Sequence, residues 1–249
     1  MKIKLSTYIA VIASALFSFS GCNSENAPDC LKKAGATTTV TRPFSDISEV
    51  EIYDMFNVKF VKDTACYAVV RAGENLINGV DTDINADNVL TLHDNNSCYA
   101  MRNNDNFPEV EIHYKNLSTV IVEGSAVLSS TDSVDIGRFE IRSDVCSADL
   151  ISNAEYLSVC AWHTSGTFNI SGKVERFGCD IRGSIIVNAQ NLSCNLADIV
   201  NFSSGNIYVN SKDSINAELL WSGNIIYKGN PKINIIRNSG DGQLIQKND

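Results

Sequence analysis

Proline is scarce in this chain. Only four occur among 249 residues, and all four lie outside the segments in which apolar and polar residues alternate: Pro28, Pro43, Pro108 and Pro231. This placement suits a sheet protein, because proline cannot donate a hydrogen bond to a strand ladder. Apolar residues at helical spacing are also missing from every long window after residue 22. That absence excludes a predominantly helical fold.

Signatures of catalysis are missing too. The chain has no Gly-x-Ser-x-Gly, His-Glu-x-x-His, phosphate-binding loop or Cys-x-x-Cys, and its three histidines are scattered. Acid pairs such as Asp81 with Asp83 or Asp132 with Asp135 suit calcium binding or sugar protonation. Since the chain carries 29 acids, chance pairs are expected, and we interpret these as solvated surface. We therefore predict no enzyme, no catalytic residue, no metal site and no cofactor.

Positive charge is in deficit, with 20 Lys and Arg against 29 Asp and Glu. Removing residues 1–21 takes away two lysines and leaves 18 basic and 29 acidic residues, a net charge of −11. Phosphate binding draws on clustered Lys and Arg. We therefore expect neither nucleic acid nor an anionic lipid surface as a partner.

What the chain does contain is a degenerate repeat. A Gly- or Ser-containing turn followed by a short alternating strand recurs through its C-terminal half, with turn glycines spaced by 17, 22, 18 and 19 residues: Gly166, Gly183, Gly205, Gly223 and Gly242. A second strand precedes each turn, in Phe139–Ile141, Leu157–Val159, Phe177–Cys179, Leu192–Cys194, Ile215–Ala217 and Ile233–Ile235. A β unit repeated without intervening helices predicts a stacked β-solenoid. The alternative is a sandwich of antiparallel hairpins, which would favour two-residue turns between longer strands.

The inward positions of such coils form one continuous core. We expect Ile141, Ile207 and Ile225 to be buried in it. The N-terminal part also reads as β, with predicted strands at 49–53, 57–61, 67–71, 89–92, 110–114 and 117–122.

The first 22 residues indicate export. Lys2 and Lys4 precede an apolar stretch from Leu5 to Phe19, and Phe19-Ser20-Gly21-Cys22 resembles the lipobox of bacterial lipoproteins, with Phe19 where Leu is usual. The resemblance implies a signal peptide at 1–21 and a lipid on Cys22. An ordinary secretion signal is the alternative, whereas a retained anchor is disfavoured because spanning a bilayer takes about 20 apolar residues. A flexible tether at 22–40 and one β domain at 41–249 follow.

Motifs in a fixed order run from Arg42 to Pro231. They are Arg42–Ile47, Val50–Ile52, Phe56–Phe60, Gly73–Leu76, Val110–Tyr114, Val122–Ala126, Ser222-Gly223 and Tyr227–Pro231. In this order they resemble the putative auto-transporter adhesin family with a head GIN domain, common among lipoproteins of Bacteroides-like bacteria. The resemblance implies a right-handed parallel β-helix and an adhesion role, and it supplies no catalytic residues.

Candidate ligand-binding residues come from a long polar segment and from the tryptophans. Residues 93–108 separate two predicted strands and contain Tyr99, Arg102 and Phe107. Loops of this length in compact domains are often functional. Trp162 and Trp221 each precede a Ser-Gly turn, where an exposed indole would stack on a sugar or peptide. The alternatives are a loop without a role and indoles packed against neighbouring coils.

Seven cysteines follow Cys22, an odd number for an oxidising compartment. Their pairing stays open for Cys30, Cys66, Cys98, Cys146, Cys160, Cys179 and Cys194. We place Cys179 and Cys194 in the inward column of Ile141 and Val159. Buried free thiols fit that position as well as disulfide bridges do.

The sequence thus predicts a lipid-anchored protein of the cell envelope, at the outer membrane or cell surface. We expect an adhesion or interaction module that contacts the membrane through its lipid and binds a glycan or protein ligand. A carbohydrate-active β-helix enzyme or polysaccharide-binding protein is the alternative, since fold alone does not decide function. A third interpretation is an envelope component that recognises another membrane protein.

Overall fold

The computed structural model describes residues 34–96 and 107–247. Cys22, Cys30, Cys98, Tyr99 and Arg102 lie outside these residues. The strands are β1 (Thr37–Pro43), β2 (Glu49–Ile52), β3 (Phe56–Lys62), β4 (Tyr67–Gly73), β5 (Val80–Ile84), β6 (Val89–Asp94), β7 (Glu109–Tyr114), β8 (Thr119–Val122), β9 (Ala126–Ser130), β10 (Arg138–Ile141), β11 (Cys146–Ser152), β12 (Tyr156–Lys173), β13 (Arg176–Ser203), β14 (Ile207–Leu219), β15 (Ile225–Lys228), β16 (Lys232–Asn238) and β17 (Leu244–Gln246). One turn of 3-10 helix spans Ile77–Gly79.

The strands stack in two parallel ladders. Ladder 1 runs through β6, β2, β8, β10, β12, β13, β14 and β16. Ladder 2 runs through β7, β3, β9, β11, β12, β13, β14, β15 and β17. The long strands β12, β13 and β14 bend and contribute to both ladders. The predicted all-β parallel solenoid is confirmed, and the antiparallel sandwich is wrong.

The core is a set of inward columns that run the length of the stack. Phe139, Val159 and Cys179 are successive partners in ladder 1, and Ile207 and Ile225 are partners in ladder 2. All five side chains are buried, as is Ile141. The predicted burial of Ile141, Ile207 and Ile225 is therefore confirmed.

The repeated glycine is explained by the close approach of successive coils. A Cβ atom on Gly223 would collide with the carbonyl oxygen of Gly205, and one on Gly205 would collide with that of Ile185. Any larger residue would push the coils apart at this corner and break the ladder. The spacing of the turn glycines therefore follows the length of each coil.

The N-terminal end is closed by antiparallel strands, of which β4 was predicted at 67–71 and β1 and β5 were not. Strand β5 pairs with β6, β4 pairs with β7, and β1 pairs with β4. Arg42 ties β1 to β5, because its guanidinium donates to the carbonyl oxygens of Val80 at 2.5 Å and Ile77 at 3.2 Å. Because β1 begins at Thr37, the prediction that residues 37–40 belong to a flexible tether is wrong.

One repeat assignment was wrong. The segment that pairs with Ile215–Ala217 is Ala197–Ile199, whereas Cys194 pairs with Ser211 in a different column. The coil that contains Leu192–Cys194 is irregular, with register shifts on both sides of these residues, so the apolar pattern alone misplaced it. Cys179 does pair with Val159, as predicted, whereas Ile141 pairs with Ala161 in a different column.

The cysteines among the described residues are free thiols. They are Cys66, Cys146, Cys160, Cys179 and Cys194. Burial raises the pKa of the Cys146 thiol to about 12 and also raises that of Cys179 well above its ordinary value. These two thiols pack as small apolar side chains and are poor nucleophiles.

Candidate functional site

The structure places three of the predicted site residues. Trp162 lies in β12 on the outer face of ladder 1, because its neighbour Ala161 points into the core. Trp221 lies between β14 and β15 and is 56% exposed. Phe107 is half-buried just before β7. Tyr99 and Arg102 lie outside the described residues, and His93, assigned to the loop, belongs to β6.

The two tryptophans belong to one row of side chains. Trp162 is the ladder partner of Arg182. The hydroxyl groups of Ser204 and Ser184, in neighbouring coils, lie 3.2 Å apart. Phe202 and Arg182 each precede one of these serines by two residues, so they are neighbours as well. The rings of Phe202 and Trp221 then meet edge to face, with their centroids 5.6 Å apart. Across these four successive coils the row holds a tryptophan, an arginine, a phenylalanine and a tryptophan.

The same row continues toward the N-terminal end. Arg142 follows Ile141, the partner of Ala161, and donates to a carboxylate oxygen of Glu123 at 2.6 Å. Beyond Glu123 the ring of Tyr53 stacks on that of His93, with centroids 4.4 Å apart and planes 11° apart. We call this row the corner column: His93, Tyr53, Glu123, Arg142, Trp162, Arg182, Phe202 and Trp221.

The cations of the corner column differ in how firmly they are held. Glu140 is buried, and it accepts hydrogen bonds from Arg138 Nε at 3.1 Å and from Arg142 Nε at 2.8 Å. Burial alone would raise the pKa of Glu140, but the hydrogen bonds from the two arginines outweigh it and keep the pKa below its ordinary value. Arg142 is therefore fixed between Glu140 and Glu123. Arg182 has a looser contact, with Asp180 at 3.4 Å.

At its C-terminal end the corner column offers a strip suited to recognition. Phe202 is 40% exposed beside the more exposed Trp221. Flat rings stack on sugars and on apolar peptide side chains, and a guanidinium offers paired donors to carboxylates and hydroxyl groups. These side chains are exposed to solvent in the free protein. A ligand that covers them would remove apolar surface from water, which favours binding.

A second polar site lies on the outer face of ladder 2. A groove of about 240 Å³ is lined by side chains from β3, β4, β7 and β9, among them Lys59, Arg71, Glu109 and Glu111. Lys59 Nζ lies 3.0 Å from Glu111. Arg71 is the register partner of Glu109 but forms no ion pair with any described residue.

His113 contacts Glu111, one of the residues that line this groove. Its Nδ1 lies 2.8 Å from Asp63 and its Nε2 lies 2.8 Å from Glu111, while Tyr67 stacks on its ring with centroids 4.0 Å apart. The hydrogen bond with His113 lowers the pKa of Asp63 to about 2. Burial alone would raise the pKa of Glu111, but hydrogen bonds with Lys59 and His113 hold it below its ordinary value.

Neither site assembles a metal centre. Within residues 34–96 and 107–247, no three His, Cys, Asp or Glu side chains lie close enough together to hold an ion. No helix in that part of the chain has the length and apolar character needed to cross a membrane.

Comparison with known proteins identifies the relatives of this solenoid. A family profile described as "putative auto-transporter adhesin, head GIN domain" matches residues 46–231. The chain belongs to this family. The resemblance predicted from the ordered motifs is thereby confirmed over almost the same span.

Solved structures share the head GIN fold. A putative adhesin from Bacteroides fragilis is 19% identical, with a TM-score of 0.76 over 85% of this chain and 97% of that one. A putative lipid binding protein from Parabacteroides distasonis is 20% identical, with a TM-score of 0.59 over 86% and 98%. At these identities the likeness shows the fold alone. No curated protein matches the chain.

Proposed function

We propose that this head GIN protein is a lipid-anchored adhesion or interaction module of the cell envelope, without catalytic activity, and that its corner column contacts the partner. The observation that carries the proposal is the exposed pair of Phe202 and Trp221 beside Arg182 and Trp162. Membership of an adhesin family supports the general role.

The anchoring part of the proposal rests on the N-terminal sequence. A lipid on Cys22 would hold the chain at the outer membrane or cell surface, and several acyl chains give stable anchoring where one is marginal. Residues 23–36 would separate the lipid from β1, which starts at Thr37 at the closed end of the solenoid. A glycan or a protein surface is the ligand class that the corner column favours.

An array of glycans and matrix proteins, probed with the purified protein, tests the binding role. The informative variant is Phe202→Ala with Trp221→Ala, which removes the exposed rings and leaves the core intact. Tyr156→Ala is the matched control, since Tyr156 is an exposed aromatic of the same sheet that lies outside the corner column. Loss of an array signal in the double variant and its retention in the control support the proposal. Equal signals in all three proteins would contradict it.

The groove on ladder 2 favours a second candidate, a polysaccharide-binding protein or carbohydrate-active enzyme. It combines the cations Lys59 and Arg71 with the carboxylates Glu109 and Glu111. Its electrostatics suit binding better than hydrolysis, because the lowered pKa of Glu111 makes that group a weak proton donor near neutral pH. Incubation with a panel of polysaccharides, followed by a reducing-end assay, separates the two. Product formed by the wild type and lost in Glu111→Gln would establish an enzyme.

A further inference from the structure

The two ends of the solenoid are built differently. At the N-terminal end β1, β4 and β5 cover the core, and Val80 of β5 and Ala72 of β4 are buried. At the C-terminal end β16 and β17 are the last strands of ladders 1 and 2 in the described chain. Ile235 there is 50% exposed and Ile236 is 61% exposed. Among residues 34–96 and 107–247, the core is therefore covered at the N-terminal end and exposed to solvent at the C-terminal end.

The exposed residues continue columns that are buried elsewhere. Ile235 is the partner of Ala217, and Leu244 is the partner of Ile225. Ala217 and Ile225 are fully buried, whereas Ile235 and Leu244 have no further coil in the described chain to cover them. An exposed apolar edge strand is a template for pairing with another chain. This end therefore has the composition of an interface.

The ends also carry opposite charge. Residues 220–247 hold four Lys or Arg and a single acid, Asp241, in a chain whose net charge is −9. Residues 72–96, which form much of the N-terminal cap, hold five acids and no Lys or Arg. Asp81, Asp83, Lys232 and Arg237 make no ion pair with any described residue. Each end thus has charge available for the other.

Geometry places these charges on matching faces. In β5, Thr82 lies between Asp81 and Asp83. The register partner of Thr82 is the buried Leu92, so Thr82 faces the core. Because side chains alternate along a strand, the two acids lie on the outer face of ladder 1. In β16, Ile233 follows Lys232 and pairs with the buried Ile215, so Ile233 faces the core. Lys232 therefore lies on the same outer face as the two acids. Strand β5 runs antiparallel to the coil strands. If a second copy stacks on the open end, its β5 would pair antiparallel with β16 of the first copy and extend ladder 1. The acids of β5 would then lie beside the cations of β16.

We propose that the C-terminal end of one copy docks on the N-terminal end of a second copy, so that β16 pairs with β5 and β17 lies against β1. The contact is head to tail, and it joins different surfaces of the two copies. Such a contact does not close on itself, so it generates linear oligomers. The corner column meets this interface only at its ends, where His93 is the register partner of Asp81, and its residues in the middle coils stay free for a partner.

Sedimentation velocity of the full chain in non-ionic detergent tests the interface. We expect oligomers that grow with protein concentration and dissociate as salt rises, because the charges are screened. The basic-end variant carries Lys232→Glu and Arg237→Glu, and the acidic-end variant carries Asp81→Lys and Asp83→Lys. Each alone should weaken association by about tenfold or more, since like charges would then face each other. Lys173→Glu with Lys212→Glu is the control, because it makes the same change in net charge at exposed positions of the middle coils.

Mixing separates this interface from other modes of association. Equimolar basic-end and acidic-end variants should recover oligomers, because each reversed end then meets a complementary one. Ile235→Lys should abolish association, and its unchanged circular dichroism would show that the fold is intact. A wild type that stays monomeric at all concentrations would overturn the proposal. So would oligomers that persist in the acidic-end variant, since they would show that the N-terminal end does not form the contact.

Discussion

Replacing Ile225 by aspartate is the sharpest perturbation of the solenoid. Ile225 is fully buried in ladder 2, between Ile207 and Leu244. Removing its side chain from the core forfeits about 1.5–3 kcal/mol of apolar burial. Placing a carboxylate there without a partner adds a penalty of several kcal/mol. The sum reaches the range of a whole domain's stability, about 5–15 kcal/mol. We expect Ile225→Asp to be unfolded or to lose most of its free energy of unfolding.

The neighbouring residue supplies the control. Ile226 lies on the same strand with its side chain toward the outer face and is only partly buried. Ile226→Asp should therefore unfold close to the wild type, while Ile225→Val should lose only about 0.5–1.5 kcal/mol. Urea titrations followed by circular dichroism in the far ultraviolet measure all three variants. Equal stability of Ile225→Asp and Ile226→Asp would refute the assignment of inward and outward columns.

Three further predictions concern anchoring, acid stability and the long loop. Cys22→Ala should release the protein from membranes on fractionation, because lipidation needs the thiol; a variant that still sediments with membranes after high-salt washing would contradict the lipoprotein assignment. Asp63 has a folded pKa of about 2, below its ordinary value of 3.8, so its contribution to stability is present above about pH 4 and is lost as the pH falls toward 2. Asp63→Asn should therefore flatten the dependence of the unfolding midpoint on pH between 4 and 2, and an unchanged slope would show that the contact with His113 contributes nothing. Replacing Tyr99–Phe107 by a short Gly-Ser linker should leave the melting curve intact while abolishing partner binding, whereas unchanged affinity would show that the loop has no role.

Most C-terminal coils of this protein can be recognised in its sequence because they need a glycine where the backbones of successive coils meet. Gly223 has no room for a side chain beside Gly205, whereas the turn at Cys146-Ser147 has no glycine and is harder to recognise. Alternation of apolar residues then identifies the strands between corners. The pattern fails at Leu192–Cys194, where register shifts break the regular coil.

Strands β1 and β5 of the N-terminal cap were missed because they lack that pattern. Thr37–Thr41 has the small polar composition of a linker, and its β structure depends on pairing with β4. Strand β5 contains two aspartates in five residues, a composition that strands usually avoid. In both strands tertiary pairing overrides a weak local preference.

The corner column was predicted only at its tryptophans. Tyr53, Glu123 and Arg142 are far apart in the chain, and they meet because coils of unequal length come into register. The partners Val159 and Cys179 are 20 residues apart, whereas Ile215 and Ile233 are 18 apart. A fixed period read from the sequence would have aligned the wrong residues.

Affinity of the Phe202→Ala, Trp221→Ala double variant for its partner tests the proposed function most directly. Once an array identifies a ligand, a calorimetric titration compares this variant with the wild type and with Tyr156→Ala. Exposed aromatic contacts that form a binding centre each cost more than about 1 kcal/mol on truncation, so we predict a loss of affinity of about tenfold or more. Tyr156→Ala should bind as the wild type does. Wild-type affinity in the double variant would show that the corner column is not the contact surface.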